Sequence, residues 1–312
     1  MDGEWALSPG LFREMQNVPR NLRFERFLSI AWRDENITHS FTFGGDRFLT
    51  VESMKVDGVS IAFQKRGGAS PGLVWLGGYR ADMGGTKAAH LDAFAERTGR
   101  ALLRHDYSGH GQSEGSLHDG TISQWVRQSL AVFLAHSSGP QILIGSSMGG
   151  WIALRMIEEL GKANERERIA GLVLIAPAPD FTIDLIEPNL SEAHRNDLAE
   201  KGYFEEGSDY LAEPNRFSQA FLDDGRANRV MKGIIETHCP VHILQGMQDA
   251  DVPYQHALKL AAHFPKDLVT MSLIPDGDHR LSREQDLVML EGAIAAVLER
   301  SAAKSVLPIS ND

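Results

Sequence analysis

Short, nearly continuous apolar runs alternate with longer amphipathic stretches along most of the chain. The run at 72–77 (GLVWLG) has the character of a strand buried on both faces, and 101–104, 141–144 (QILI), 172–176, 241–245 and 270–274 read as further strands. Between them, 86–97, 123–136, 148–160, 253–264 and 283–300 repeat apolar residues at helical spacing. In 86–97, Ala88, Leu91, Phe94 and Ala95 fall on one face. Ahead of these lie two strand-like runs, 48–53 and 59–65, joined across Asp57-Gly58, a hairpin signal. Strands alternating with helices predict the α/β class, with a mostly parallel sheet covered by helices on both faces.

The alternation fails in two places. Residues 1–45 are mixed in character, and 21–32 fits neither period, so this segment is read as an N-terminal appendage. Residues 181–236 are charge-rich and are read as a helical cap insertion, with helices at 191–201 and 216–221 and no strand. The core then comprises 46–180 and 237–300, with 301–312 as a C-terminal tail.

Composition narrows the class of protein. The 312 residues are 42% apolar and 23% charged, which fits a soluble globular chain and excludes fibrous and disordered ones. A net charge of −11 repels phosphate backbones, so nucleic acid is not an expected partner. No apolar stretch approaches the roughly 20 residues of a membrane span. The acidic N-terminus, with Asp2 and Glu4, resembles neither a secretory signal nor a presequence. A single cysteine, Cys239, cannot form an internal disulfide, and a reducing, cytoplasmic setting is expected. Oligomeric state is not legible.

Gly145-Ser146-Ser147-Met148-Gly149 matches G-x-S-x-G, a pattern common by chance in a glycine-rich chain. Its context makes it informative, because it lies directly between a predicted strand and a predicted helix. That is the arrangement of a nucleophile elbow, in which Ser147 stands on a strained turn between glycines. A serine hydroxyl needs a base, and the base needs an orienting carboxylate. Of the histidines downstream, only His279 falls in a loop between a predicted strand and the last helix. Two acids follow the strand before it, Asp249 and Asp251. Asp249 is the preferred third member, and Asp251 is the alternative or a cap for the helix beginning at Pro253. A developing oxyanion needs two backbone donors. The Met148 N–H follows the nucleophile, and the Tyr79 N–H lies in the loop Leu76-Gly77-Gly78-Tyr79-Arg80.

Other features read as architecture. Asp106 and the glycines of 106–113 shape a loop from which His110 is a candidate pocket-lining residue, as are Gly78 and Trp151. A core position for Trp151 is equally consistent with its place in the helix. Gly84-Gly85 lacks the Gly-Lys-Ser/Thr of a phosphate cradle. No His/Asp/Glu cluster stands at metal-ligand spacing, so neither metal nor cofactor is expected. Cys239 is expected to be a small buried residue.

Together these residues resemble the α/β-hydrolase superfamily over nearly all of 48–300. The segments GLVWLGGYRADMGGTKA, RHDYSGHGQSEG, ILIGSSMGGW, LQGMQDADVP and DGDHR resemble its mitochondrial palmitoyl-protein thioesterase branch, also described as an acyl-glucuronide esterase. The resemblance puts Ser147, Asp249 and His279 at the triad positions and implies a serine hydrolase of esters or thioesters working through an acyl-enzyme. The expected substrate is a small-molecule ester or thioester, or an acylated protein. Phe181, Ile183, Leu185, Phe217 and Phe221 of the insertion are expected to cover the acyl chain. A peptidase or an acyltransferase would use the same triad. A non-catalytic binding protein is the remaining alternative, against which the three filled positions speak.

Overall fold

The protein is described by a computed structural model covering residues 49–207, 213–266 and 268–306; the segment read as an N-terminal appendage lies outside them. Eight strands form one sheet: β1 (Glu52–Val56), β2 (Val59–Arg66), β3 (Ala69–Leu76), β4 (Arg100–His105), β5 (Gln141–Ser146), β6 (Ile169–Ile175), β9 (Val241–Gly246) and β10 (Val269–Ile274). Their order across the sheet is β1-β2-β4-β3-β5-β6-β9-β10, antiparallel at β1/β2 and β2/β4 and parallel from β4 onward. The hairpin turns on Asp57 and Gly58, both at positive φ (51° and 83°), which suits the right-handed twist of its strands. β1 begins at Glu52 rather than at Phe48, since pairing extends outward from that turn only as far as Glu52 opposite Phe63.

Side chains alternate across the central strands, dividing the core between the two faces of the sheet. Val74, Leu76, Leu143, Leu172, Leu174 and Ile243 look toward α2 (Ile122–His136), α3 (Met148–Lys162) and α6 (Tyr254–Ala261). Leu73, Trp75, Ile142, Ile144, Val173 and Ile175 look toward α1 (Thr86–Thr98) and α7 (Glu284–Val306). The last helix continues six residues past Arg300 into the expected tail, because Ser301-Ala302-Ala303 contains no breaker.

Between β6 and β9 the chain leaves the sheet. A π-helical turn (Thr182–Ile186) leads to α4 (Glu192–Lys201), capped by Ser191 at one end and by Gly202 in the left-handed conformation at the other. A strand pair follows, β7 (Tyr203–Glu206) with β8 (Asn215–Ser218), where the sequence predicts no strand. The helix expected at 216–221 is displaced: residues 215–218 are extended, and α5 runs over Gln219–Ala227. Cross-strand contacts decide this. The Arg216 guanidinium binds Glu205 Oε1 at 2.7 Å and lies 4.2 Å over the Tyr203 ring, and Ser218 then caps α5. Asp180, fully buried at positive φ, accepts the Val230 and Met231 amides at 2.8 Å each, tying the end of the insertion to its beginning.

Candidate active site

β5 runs straight into the elbow. Ser147 has φ 53° and ψ −120°, a conformation costing roughly 1–3 kcal/mol for a residue with a side chain. Its backbone is over-determined: the N–H donates to Ile175 O at 2.9 Å, and its carbonyl accepts Gly150 N–H (2.9 Å) and Ala178 N–H (3.1 Å). The flanking glycines are steric requirements. A Cβ on Gly145 would stand 2.5 Å from Gly149 O, and one on Gly149 would stand 2.0 Å from Leu76 O.

Two loops at the carboxyl ends of neighbouring strands bring the other partners. Gly246, ending β9, lies so close to the loop after β10 that an added Cβ would meet Gly277 O at 2.4 Å, and Gln248 N–H donates to that same oxygen at 2.8 Å. This backbone contact brings Asp249 and His279 together. His279 Nδ1 lies 2.9 Å from Asp249 Oδ2, and His279 Nε2 lies 3.1 Å from Ser147 Oγ. Asp249 Oδ1 accepts the amides of Asp251 (3.0 Å) and Val252 (2.8 Å), so its fully buried carboxylate is held on both oxygens. Asp251 is exposed at the rim of the cavity and serves Asp249 through its backbone.

Asp249, Asp251 and His279 also bring donor atoms within 4.8 Å of one another, a convergence that linear spacing does not announce. The Asp249 oxygens and His279 Nδ1 are engaged with each other and with backbone amides. That pattern suits proton relay better than coordination of a cation.

The loop after β3 faces the nucleophile. A Cβ on Gly78 would lie 3.3 Å from Ser147 Cβ, and Ala81 N–H closes the turn onto Gly78 O at 3.1 Å. Behind it, the Tyr107 hydroxyl donates to Gly77 O at 3.1 Å. Asp106 accepts Met83 N–H (2.6 Å) and Gln112 N–H (2.8 Å), binding this loop to the 106–113 loop as its expected shaping role requires. Among the described residues, neither Tyr79 N–H nor Met148 N–H is taken by a backbone acceptor.

Ser147 opens into a cavity of about 750 Å³. The insertion lines it with Phe181, Leu185, Ile186, Leu190, Phe204 and Phe217, together an apolar limb, and with the polar Asn189, His194, Glu206 and Asn215. The loops at the sheet add Arg80, Asp82, Lys87, Asp251 and Arg280. Ile183 and Phe221 do not line it. The wide π-helical turn puts residues four and five apart on one face, so Phe181, Leu185, Ile186 and Leu190 look inward and Ile183 does not. Phe221 instead packs on Tyr79, Trp125 and Phe181.

Gly78 lines the cavity, but Trp151 and His110 do not. Trp151 is fully buried, donates to Asn228 O at 3.0 Å and meets Phe181 edge-on, which is its core alternative. His110 lies one layer behind Tyr79, its ring 6.2 Å away, with Nδ1 3.1 Å from Ser108 O; burial pushes it down to about 4. The β4 residue His105 is likewise pushed down to about 4 by burial. Cys239 is buried, as expected.

Two site residues escape the sequence reading. Gln245, fully buried at the end of β9, donates to Asp249 Oδ2 at 3.0 Å and to Val252 O at 3.1 Å, fixing the carboxylate. An amide at the end of an otherwise apolar run was the available signal. Lys87 Nζ holds the carbonyl of Arg280, next to His279, and lies 3.3 Å from Ser282 Oγ; burial lowers it to about 8. No local signal marks it, because the contact spans 193 residues.

A family model described as the alpha/beta hydrolase family matches residues 67–297. The mouse protein named palmitoyl-protein thioesterase ABHD10, mitochondrial, is 30% identical over 242 residues, which is 77% of this chain and 80% of that one. A crystal structure of a putative hydrolase from Agrobacterium vitis superposes with a TM-score of 0.77 at 54% identity, covering 80% of this chain and 99% of that one. Mouse alpha/beta hydrolase domain-containing protein 10 does so with a TM-score of 0.72 at 28% identity, covering 80% and 98%. Among the described residues no helix is long and apolar enough to cross a membrane. With this match across most of its length and the parallel sheet that carries it, the chain belongs to the alpha/beta hydrolase family and is a hydrolytic enzyme.

Proposed function

We propose that this hydrolase cleaves esters or thioesters of medium to long acyl chains through an acyl-enzyme on Ser147. The observation that carries the reading is the line Asp249–His279–Ser147, with contacts of 2.9 and 3.1 Å, opening into a cavity with one apolar limb. His279, carrying its proton on Nδ1 toward Asp249, takes the Ser147 hydroxyl proton at Nε2 as Oγ attacks the acyl carbonyl. Asp249 holds that tautomer and stabilises the imidazolium. The Met148 and Tyr79 amides donate to the oxyanion. Collapse of the tetrahedral intermediate breaks the bond to the alcohol or thiol, which leaves with the proton from His279. Water, deprotonated by the same ring, then attacks the acyl-enzyme and releases the acid and Ser147. The reaction as written draws on no cofactor.

The apolar limb, with Phe181, Leu185 and Phe204, supports an acyl chain as its occupant. The names of the curated relatives as palmitoyl-protein thioesterases support the thioester class. We place the enzyme in the cytoplasm on the strength of its single buried thiol, Cys239; those relatives bear the word mitochondrial in their names.

A fluorophosphonate should label the wild-type protein and leave Ser147→Ala unlabelled. A series of p-nitrophenyl esters, run beside acyl-CoA thioesters, should favour long chains. Labelling that survives Ser147→Ala would overturn the nucleophile, and turnover confined to acetyl and butyryl groups would overturn the acyl assignment.

A further inference from the structure

Arg80 follows the proposed oxyanion donor Tyr79, and its backbone has φ 60°, a left-handed conformation that a residue with a side chain holds only when its surroundings impose it. The turn that Ala81 N–H closes onto Gly78 O at 3.1 Å imposes it here, and from that turn the Arg80 side chain reaches the cap. Arg80 Nη1 donates to Glu213 O at 3.0 Å and Pro214 O at 2.9 Å, and reaches Asn215 Oδ1 at 3.3 Å. Its Nη2 lies 3.5 Å from Glu213 Oε2, a carboxylate almost wholly exposed and therefore a weak contributor. One residue earlier, the Tyr79 hydroxyl donates to Arg216 O at 3.0 Å, and the Tyr79 ring stacks on Phe217 at 5.6 Å. Two consecutive residues of the loop beside the nucleophile thus grip residues 213–217, at the returning strand of the cap hairpin.

The same hairpin faces the apolar limb of the cavity with Phe204 from β7 and Phe217 from β8, their rings 5.4 Å apart. A chain filling that limb packs on the strand that holds the Tyr79–Arg80 loop. The guanidinium suits this work because its planar fork of donors spans several acceptors at once, where an ammonium is a single point.

We propose that Arg80 is a positioning residue that couples occupancy of the acyl limb to the oxyanion donor: an acyl chain long enough to pack on Phe204 and Phe217 steadies the hairpin, and the hairpin, through Arg80 and the Tyr79 hydroxyl, holds Tyr79 N–H at the reacting carbonyl. This rests on the serine-hydrolase reading above. The donor acts on charge that develops in the transition state. Selectivity for long acyl groups therefore enters kcat and is not confined to KM.

The test is kcat and KM for p-nitrophenyl esters from acetate to dodecanoate, measured with wild type, R80A, R80K and Y79F. Wild-type kcat should climb with chain length by about tenfold, the scale of one partly lost oxyanion contact. R80A should lose that climb, so that its ratio of dodecanoate to acetate kcat falls toward one, while KM still falls with length as the apolar limb fills. R80K should recover part of the climb, and Y79F should show a smaller loss of the same kind. If R80A melts well below the wild type, R80K and Y79F carry the comparison, since both keep most of the contacts. A kcat lowered equally at every length, a change confined to KM, an unchanged R80A, or a wild-type kcat indifferent to length would each overturn the coupling. A wild-type protein that cleaves none of the esters and resists fluorophosphonate would instead bring down the serine-hydrolase reading, and the coupling with it.

Discussion

Ser147, Asp249 and His279 stand just beyond the carboxyl ends of β5, β9 and β10, each in a loop pinned by backbone hydrogen bonds to the neighbouring loop or strand. The apolar side chains across the cavity come from short elements between β6 and β9, a π-helical turn with the segment after it to Leu190 and two four-residue strands; α4 between them has no buried residue and adds only His194. The sheet side is held by parallel pairing with core packed on both faces. The cap is held by a few specific ties, among them Asp180 to the 230–231 amides and Arg80 to 213–215. The difference separates two tasks. On the function proposed above, bond-breaking geometry rests where backbone movement is costly, and substrate selection rests on short elements held by fewer backbone ties.

The largest expected effect tests the sheet side. Asp249→Asn should lower kcat by roughly 10³–10⁴-fold with little change in KM, because an amide cannot hold the His279 tautomer. Asp251→Asn should lose no more than severalfold, since its backbone amide supplies the contact to Asp249. Ester kinetics on the two variants would reverse the acid assignment if Asp251→Asn proved the more damaging.

Acid should strike the same side next. His105 and His110 are pushed by burial from 6.5 down to about 4, and His105 lies 3.0 Å from Ser129 Oγ. Between those two values the unfolded chain binds protons that the folded chain excludes, so stability rises with pH across that window and is lost on acidification. Each ring contributes on the order of 3 kcal/mol over that window. Urea unfolding at pH 7 and pH 4.5 should show the loss, and His105→Gln should reduce it. An equal pH dependence in wild type and variant would remove His105 from the account.

The smallest effect belongs to the cap. Phe204→Leu removes aromatic wall from the apolar limb, and with it contacts to a long acyl chain, while leaving an apolar side chain for Phe217 to pack on. It should lower kcat/KM for dodecanoyl esters by about five- to tenfold and leave acetyl esters near wild type, the discrimination expected of a small volume change in an apolar pocket. A uniform loss across chain lengths would mean that the cap supports the sheet side rather than selecting the acyl group.

The legibility of the sequence follows the same division. The central strands from GLVWLG to 241–245 are visible because burial on both faces forces near-continuous apolar runs, and the helices because one face of each must meet the sheet. The elbow is visible because the turn at Ser147 excludes Cβ atoms at Gly145 and Gly149. The β7–β8 pair is not, since four-residue strands carry too few alternations and their pairing depends on Arg216 meeting Glu205 and Tyr203. The inward faces of Ile186, Leu190 and Phe204 follow from the π-helical turn and the hairpin, and no local period announces them.

By itself, the order of residues determined the α/β architecture, the elbow and the short set of side chains able to join a relay, because each leaves a mark within one strand, turn or helix. Only the tertiary structure decided that Asp249 rather than Asp251 meets His279, that Gln245 and Lys87 brace the pair, and that Arg80 reaches the cap. Those outcomes depend on contacts between segments remote in the chain, and their distances are set by how the sheet twists and how its loops pack, which no local pattern encodes.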